Sequence, residues 1–110
     1  MKGSSNIKVC KSFFSKFRGL MFSSLDFNEG LLFVNSKERI NSIHMFFVFF
    51  PIDIVWMDSS FKVVDVKRNV KPFTPFVIPK SKSKYVLEVR KGVSSNISIG
   101  DKLDLKEKVI

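Results

Sequence analysis

A chain of 110 residues, 45% apolar and 26% charged, fits one domain just long enough to bury a single core, and a composition so ordinary for a globular protein is not that of a disordered chain. Its apolar content is unusual in kind, with thirteen Phe, one Trp, one Tyr and no Ala, and Lys supplies fifteen of the nineteen basic residues. The net charge of +9 is uneven: residues 1–60 hold seven basic and five acidic groups, residues 61–110 twelve and five. That asymmetry suits anionic partners such as nucleic acid, although codon drift in an AT-rich genome yields a similar total.

Ile7 to Val9 reads as a short opening strand. Ser12 stands where an N-cap belongs, ahead of Phe13, Phe14, Phe17, Leu20 and Met21 at helical spacing. Gly19 weakens that helix or ends it early. Gly30 opens Leu31-Leu32-Phe33-Val34, a continuous apolar run suited to a strand buried on both faces.

The run from Ile43 to Met57 is apolar apart from His44, Pro51 and Asp53. Ile43–Phe50 is expected as a central strand, because both alternating faces are apolar except at His44. Pro51 lacks the N–H a sheet ladder needs and so marks a turn or bulge. Asp53–Asp58 continues as a second strand, and Asp58-Ser59-Ser60 turns the chain into Phe61–Arg68. Pro72, Pro75 and Pro79 predict an extended loop between Lys71 and Lys80. Lys84–Arg90 then alternates, Tyr85, Leu87 and Val89 on one face and Lys84, Val86, Glu88 and Arg90 on the other. Gly92–Gly100 has room for one short helical turn. A closing strand follows, with Leu103 and Leu105 inward and Lys102, Asp104 and Lys106 outward. The expected fold is therefore mainly β (α+β): a small antiparallel β-barrel or sandwich with one or two short helices, as a single domain over residues 1–110.

Cys10 is the single cysteine, which excludes an intrachain disulfide. The first twelve residues lack the apolar stretch of a signal peptide. The 43–57 run is shorter than the ~20 residues of a membrane span and is interrupted by Pro51 and Asp53. A cytoplasmic protein with no membrane partner is the expectation.

Five motifs occur in order: Arg18-Gly19-Leu20-Met21-Phe22; Gly30-Leu31-Leu32-Phe33; His44-Met45 with Pro51-Ile52-Asp53-Ile54; Tyr85-Val86-Leu87-Glu88-Val89; and Gly100-Asp101. Over about residues 7–106 the chain thereby resembles the domain of unknown function 192 family (uncharacterised protein family 0127). The resemblance implies a compact, mainly β domain with a short helix after the first strand, and it brings no established activity. Many bacterial members carry an export signal. This chain departs from their usual Lys-Asn-Thr stretch at Phe46-Phe47-Val48 and looks like an archaeal-type member.

Arg18, His44 and Asp53 are the candidate ligand-binding residues. Each lies in apolar sequence, and a buried charge must be paired or neutralised because unpaired burial costs several kcal/mol. In the functional reading Arg18 binds an anion while His44 and Asp53 handle protons or orient a ligand. In the structural reading Asp53 caps backbone N–H groups and His44 is satisfied in the core. No metal site or cofactor is expected, since one His and one Cys thirty-four positions apart do not supply clustered ligands. Asp53, Asp58 and Asp65 have no dedicated cation loop. Ser-x-x-Lys occurs at Ser59…Lys62 and Ser81…Lys84, as fifteen Ser and fifteen Lys lead one to expect by chance, and no nucleophile elbow exists.

The stretch Lys67–Lys91 holds eight basic groups against Glu88. Lys67, Arg68, Lys71, Lys80, Lys82 and Lys84 are its nucleic-acid-binding candidates. Phe73, Phe76 and Tyr85 are interleaved, as single-stranded nucleic acid favours, though Tyr85 is expected inward and Arg is scarce. A charge ladder of Lys84, Glu88 and Arg90 on a solvated face is the simpler expectation. The sequence thus points to a non-enzymatic module binding a small ligand or protein partner. A nucleic-acid-binding accessory domain using the Lys67–Lys91 face is the alternative.

Overall fold

The computed structural model describes residues 7–10, 30–43, 50–74 and 76–105. Five strands form one sheet: β1 (Ile7–Cys10), β2 (Gly30–Arg39), β3 (Ile52–Met57), β4 (Val63–Val70) and β5 (Ser83–Arg90). The spatial order is β1-β2-β5-β3-β4. β1 runs parallel to β2, and the other three pairings are antiparallel. The protein is mainly β, as expected. Its order is linear among the described residues, with β1 and β4 at the edges.

β5 is the middle strand, and its register explains the core. Leu31, Leu32, Phe33 and Val34 of β2 lie opposite Glu88, Leu87, Val86 and Tyr85. On the other side Ile52 to Met57 of β3 lie opposite Arg90 to Tyr85. Side chains alternate across a strand, so each face becomes apolar. One face carries Leu31, Phe33, Ile52, Ile54, Trp56 and Val86, packed with Ile43 and Val77. The other carries Leu32, Val55, Met57, Tyr85, Leu87 and Val89, covered by Phe61, Ile97, Leu103 and Leu105. β3 is buried along its whole length, which its β-branched and aromatic residues suit.

This placement corrects the solvated charge ladder expected on β5. Glu88 is 0% exposed, because a middle strand has neighbours on both sides and covering layers on both faces. Lys84 and Arg90 are half-buried, and the Arg90 guanidinium lies 4.5 Å from the Phe50 ring centroid.

Gly30 is needed where it stands. A Cβ there would meet Val89 Cγ1 at 2.8 Å and the Glu88 carbonyl oxygen at 3.2 Å, closer than the packed interior tolerates.

The segment after β5 is a run of turns where a helical turn is expected. Val93, Ser95 and Ile97 amides donate to the carbonyls of Arg90, Gly92 and Ser94; these bonds skip every second residue and build no continuous ladder. Leu103 and Leu105 are buried and Lys102 and Asp104 exposed, as expected, and among the described residues this segment meets 61–63 through the Lys62–Lys102 bridge and the bond from the Leu103 amide to the Phe61 carbonyl rather than as a strand. The expected helix over Ser12–Met21, the strand residues His44–Phe49 and Lys106 lie outside the described residues. Among the described residues there is no helix, and none long and apolar enough to cross a membrane.

Candidate functional site

Asp53 is fully buried on β3, on the face that packs against the turns after β5. Its Oδ1 accepts the Asn69 amide at 2.9 Å. Its Oδ2 accepts the Gly92 amide at 3.0 Å, the Ser94 amide at 3.1 Å and the Ser94 hydroxyl at 2.7 Å. Burial of a carboxylate requires such partners. The local backbone supplies them: Asn69 sits at a register shift of the β3–β4 pair with φ 54°, and Gly92 has φ 90°. Asp53 therefore ties β3 to the bulge of β4 and to the first turn after β5. Arg68 reinforces the same region, its guanidinium donating to the carbonyls of Ser94 and Ile97. Arg18 and His44 lie outside the described residues.

Asp65 repeats this device on the opposite face. It is buried, with Oδ1 accepting the Val66 amide at 2.8 Å and Oδ2 the Lys80 amide at 2.9 Å. Asp58 Oδ1 accepts the Ser60 and Lys62 amides in the turn before β4. These carboxylates organise backbone, and among the described residues no three His, Cys, Asp or Glu side chains gather as a metal-ligand set.

The basic candidates separate by environment. Lys71, Lys80 and Lys82 are exposed in the loop between β4 and β5, whereas Lys67 and Lys84 are half-buried on those strands. Arg68 is engaged with the Ser94 and Ile97 carbonyls. Tyr85 is buried and stacked on Phe61, ring centroids 4.1 Å apart. The three exposed lysines share their loop with three exposed apolar side chains: Phe73 at 54%, Phe76 at 69% and Ile78 at 58%.

The loop is held in place. The Ile43 amide donates to the Val77 carbonyl at 2.9 Å, and the Val77 amide to the Ile43 carbonyl at 2.7 Å. Asp65 fixes Lys80, and the Thr74 hydroxyl donates to the Lys71 carbonyl at 2.7 Å. Val77 and Pro79 are buried, so the extended backbone turns Phe76 and Ile78 the other way, into water. Phe73 has φ 64°, a left-handed conformation that costs a non-glycine residue about 1–2 kcal/mol. Strain of this kind persists only where the surroundings enforce it.

Ile78 and Ser94 are missed by sequence reasoning. Phe76, Val77, Ile78 and Pro79 are all apolar, so no local pattern distinguishes outward from inward residues. Ser94 meets Asp53 across 41 positions, a pairing no local spacing encodes.

The chain matches the DUF192 family, Uncharacterized ACR, over residues 1–105. It is 43% identical over 102 residues to a UPF0127 protein of Thermococcus sibiricus, covering 89% of this chain and 64% of that protein's length. A UPF0127 protein of Pyrococcus horikoshii is 38% identical over 101 residues, covering 88% of this chain and 84% of the relative. The crystal structure of a protein of unknown function from Novosphingobium aromaticivorans superposes with a TM-score of 0.78 at 22% identity, covering 89% of this chain and 73% of the other.

Proposed function

This chain belongs to the DUF192 family of uncharacterised proteins, and on that premise, which supplies no activity, we propose that it is a non-enzymatic binding module whose contact surface is the loop over residues 71–74 and 76–82. The observation that carries this reading is the outward display of Phe76 and Ile78 on a segment whose Val77 and Pro79 are buried. Single exposed apolar residues are ordinary, but three within six positions are informative. Each is held in water, where burial against a partner is worth roughly 25 cal/mol per Å² of apolar surface. Because hydrogen bonds at Val77 and Lys80 fix the backbone, little order is lost on binding, which favours affinity.

The exposed side chains of one loop suit a macromolecular partner better than a small ligand, which needs a concavity enclosing most of its surface. A small-ligand site on Arg18, His44 and Asp53 is the second reading. Asp53's burial supports it, but the ligand must displace one of four existing hydrogen bonds.

Amide chemical shifts of ¹⁵N-labelled protein test the first reading. The probes are heparin, polyglutamate, an acidic peptide carrying Leu and Phe, and a dT12 oligonucleotide. Perturbations are expected at residues 71–82 and not in the turn at Ser59–Ser60. Shifts that fall elsewhere, or no shift with any probe, overturn it.

A further inference from the structure

Resting on the reading of loop 71–82 as the contact surface, we infer that its partner is single-stranded nucleic acid, bound with little sequence preference. No acidic residue occurs from Val66 to Leu87, whereas Lys67, Arg68, Lys71, Lys80, Lys82 and Lys84 all fall within that stretch. The two acids bounding it, Asp65 and Glu88, are buried, so the surface meets a partner with positive charge. A second copy of this chain would bring the same charge to the same place and be repelled.

Two of the three exposed apolar side chains are phenylalanines set among Lys71, Lys80 and Lys82. Aromatic faces beside cations suit unpaired bases, since every base has a π-face and every nucleotide a phosphate. A duplex keeps its base faces stacked and offers none. Phe73, with φ 64°, is 54% exposed.

The available cations argue for tolerance of sequence. Lysine is a point charge without the planar fork that reads a base edge. Of the three described arginines, Arg68 donates to the Ser94 and Ile97 carbonyls, Arg90 lies over Phe50, and the exposed Arg39 stands on β2 opposite Ser83; the exposed cations of the loop itself are all lysines.

Fluorescence anisotropy of labelled dT12 against the full chain tests the inference. Three phosphate contacts to Lys71, Lys80 and Lys82 set an expected slope of log K against log salt of about −2. Phe76→Ala should weaken binding about tenfold or more by removing a stacking platform. Phe76→Leu should weaken it comparably, because leucine keeps the apolar area and loses the ring. Lys80→Glu with Lys82→Glu should abolish binding. A twelve-base-pair duplex and polyglutamate should compete poorly. All these positions are exposed, and thermal unfolding verifies that each variant folds. Unchanged dT12 affinity in Phe76→Leu, or polyglutamate or the acidic peptide binding the loop more tightly than dT12, overturns the nucleic-acid inference and leaves the loop as a protein-binding surface. No perturbation of the loop by any probe overturns both.

Discussion

Replacing Asp53 with alanine removes four hydrogen bonds at once, and their surroundings set the cost. Asn69 and Gly92 are exposed residues, so water can reach their amides and each loss costs about 0.5–1 kcal/mol. Ser94 is 0% exposed; its amide and hydroxyl have no such recourse, at about 1.5 kcal/mol each. The expected destabilisation is about 4–5 kcal/mol, a lowering of Tm by roughly 16–20 °C for a domain of this size. Ser94→Ala removes only the 2.7 Å hydroxyl bond and should cost about 1 kcal/mol. Urea unfolding of both single variants and the double variant closes a cycle. Ser94→Ala should cost almost nothing once Asp53 is alanine, since its acceptor is gone. Asp53→Asn, which retains an acceptor, should lie between wild type and Asp53→Ala and serves if the alanine variant does not fold. Hydrogen exchange should rise selectively at Asn69, Gly92 and Ser94. A cost below about 1 kcal/mol for Asp53→Ala, or strict additivity with Ser94→Ala, refutes the claim that this carboxylate ties β3 to β4 and to the turns after β5.

Gly30→Ala should destabilise by about 1–3 kcal/mol through overpacking against Val89, and Val89→Ala should recover part of that loss in chemical denaturation. Trp56→Phe removes the Nε1–H bond to the Asn41 carbonyl at 2.8 Å and leaves a void in a fully buried site; a loss of about 2–3 kcal/mol is expected, with faster amide exchange around Asn41. Phe76→Ser combined with Ile78→Ser should leave stability within about 0.5 kcal/mol, because both side chains are already in water; a large loss by thermal unfolding would show that they belong to the core.

Much of the strand plan is readable because strand periodicity is local. Ile7–Cys10, the Gly30 start of β2, β3 after Pro51 and the alternation of β5 are each written in neighbouring residues. The two-faced apolar content of Leu31–Val34 and Ile52–Met57 also requires covering layers on both sides of the sheet. Glu88 escapes this reading because alternation distinguishes the faces of a strand and leaves open whether both are covered. Its burial follows from β5 pairing with both β2 and β3, contacts separated by tens of residues. The turns after β5 do not become helical for a related reason: Asp53 draws the Gly92 and Ser94 amides toward itself, and that demand comes from another strand.

By itself, the sequence determined a mainly β domain, a cationic second half and a proline-rich loop, since composition and short-range periodicity suffice for each. Only the tertiary structure decided which carboxylates serve the backbone and which apolar residues of the loop face water. The distant amides that Asp53 and Asp65 accept, those of Asn69, Gly92, Ser94 and Lys80, lie too far along the chain for local spacing to assign them, and only the fold brings them to these carboxylates. In the all-apolar run Phe76-Val77-Ile78-Pro79, inside and outside are set by the bridge between Ile43 and Val77, which holds Val77 inward beside the exposed Phe76 and Ile78. Burial is a property of the packed chain, and an apolar side chain in a loop acquires its inside and outside only when distant backbone closes over one of its faces.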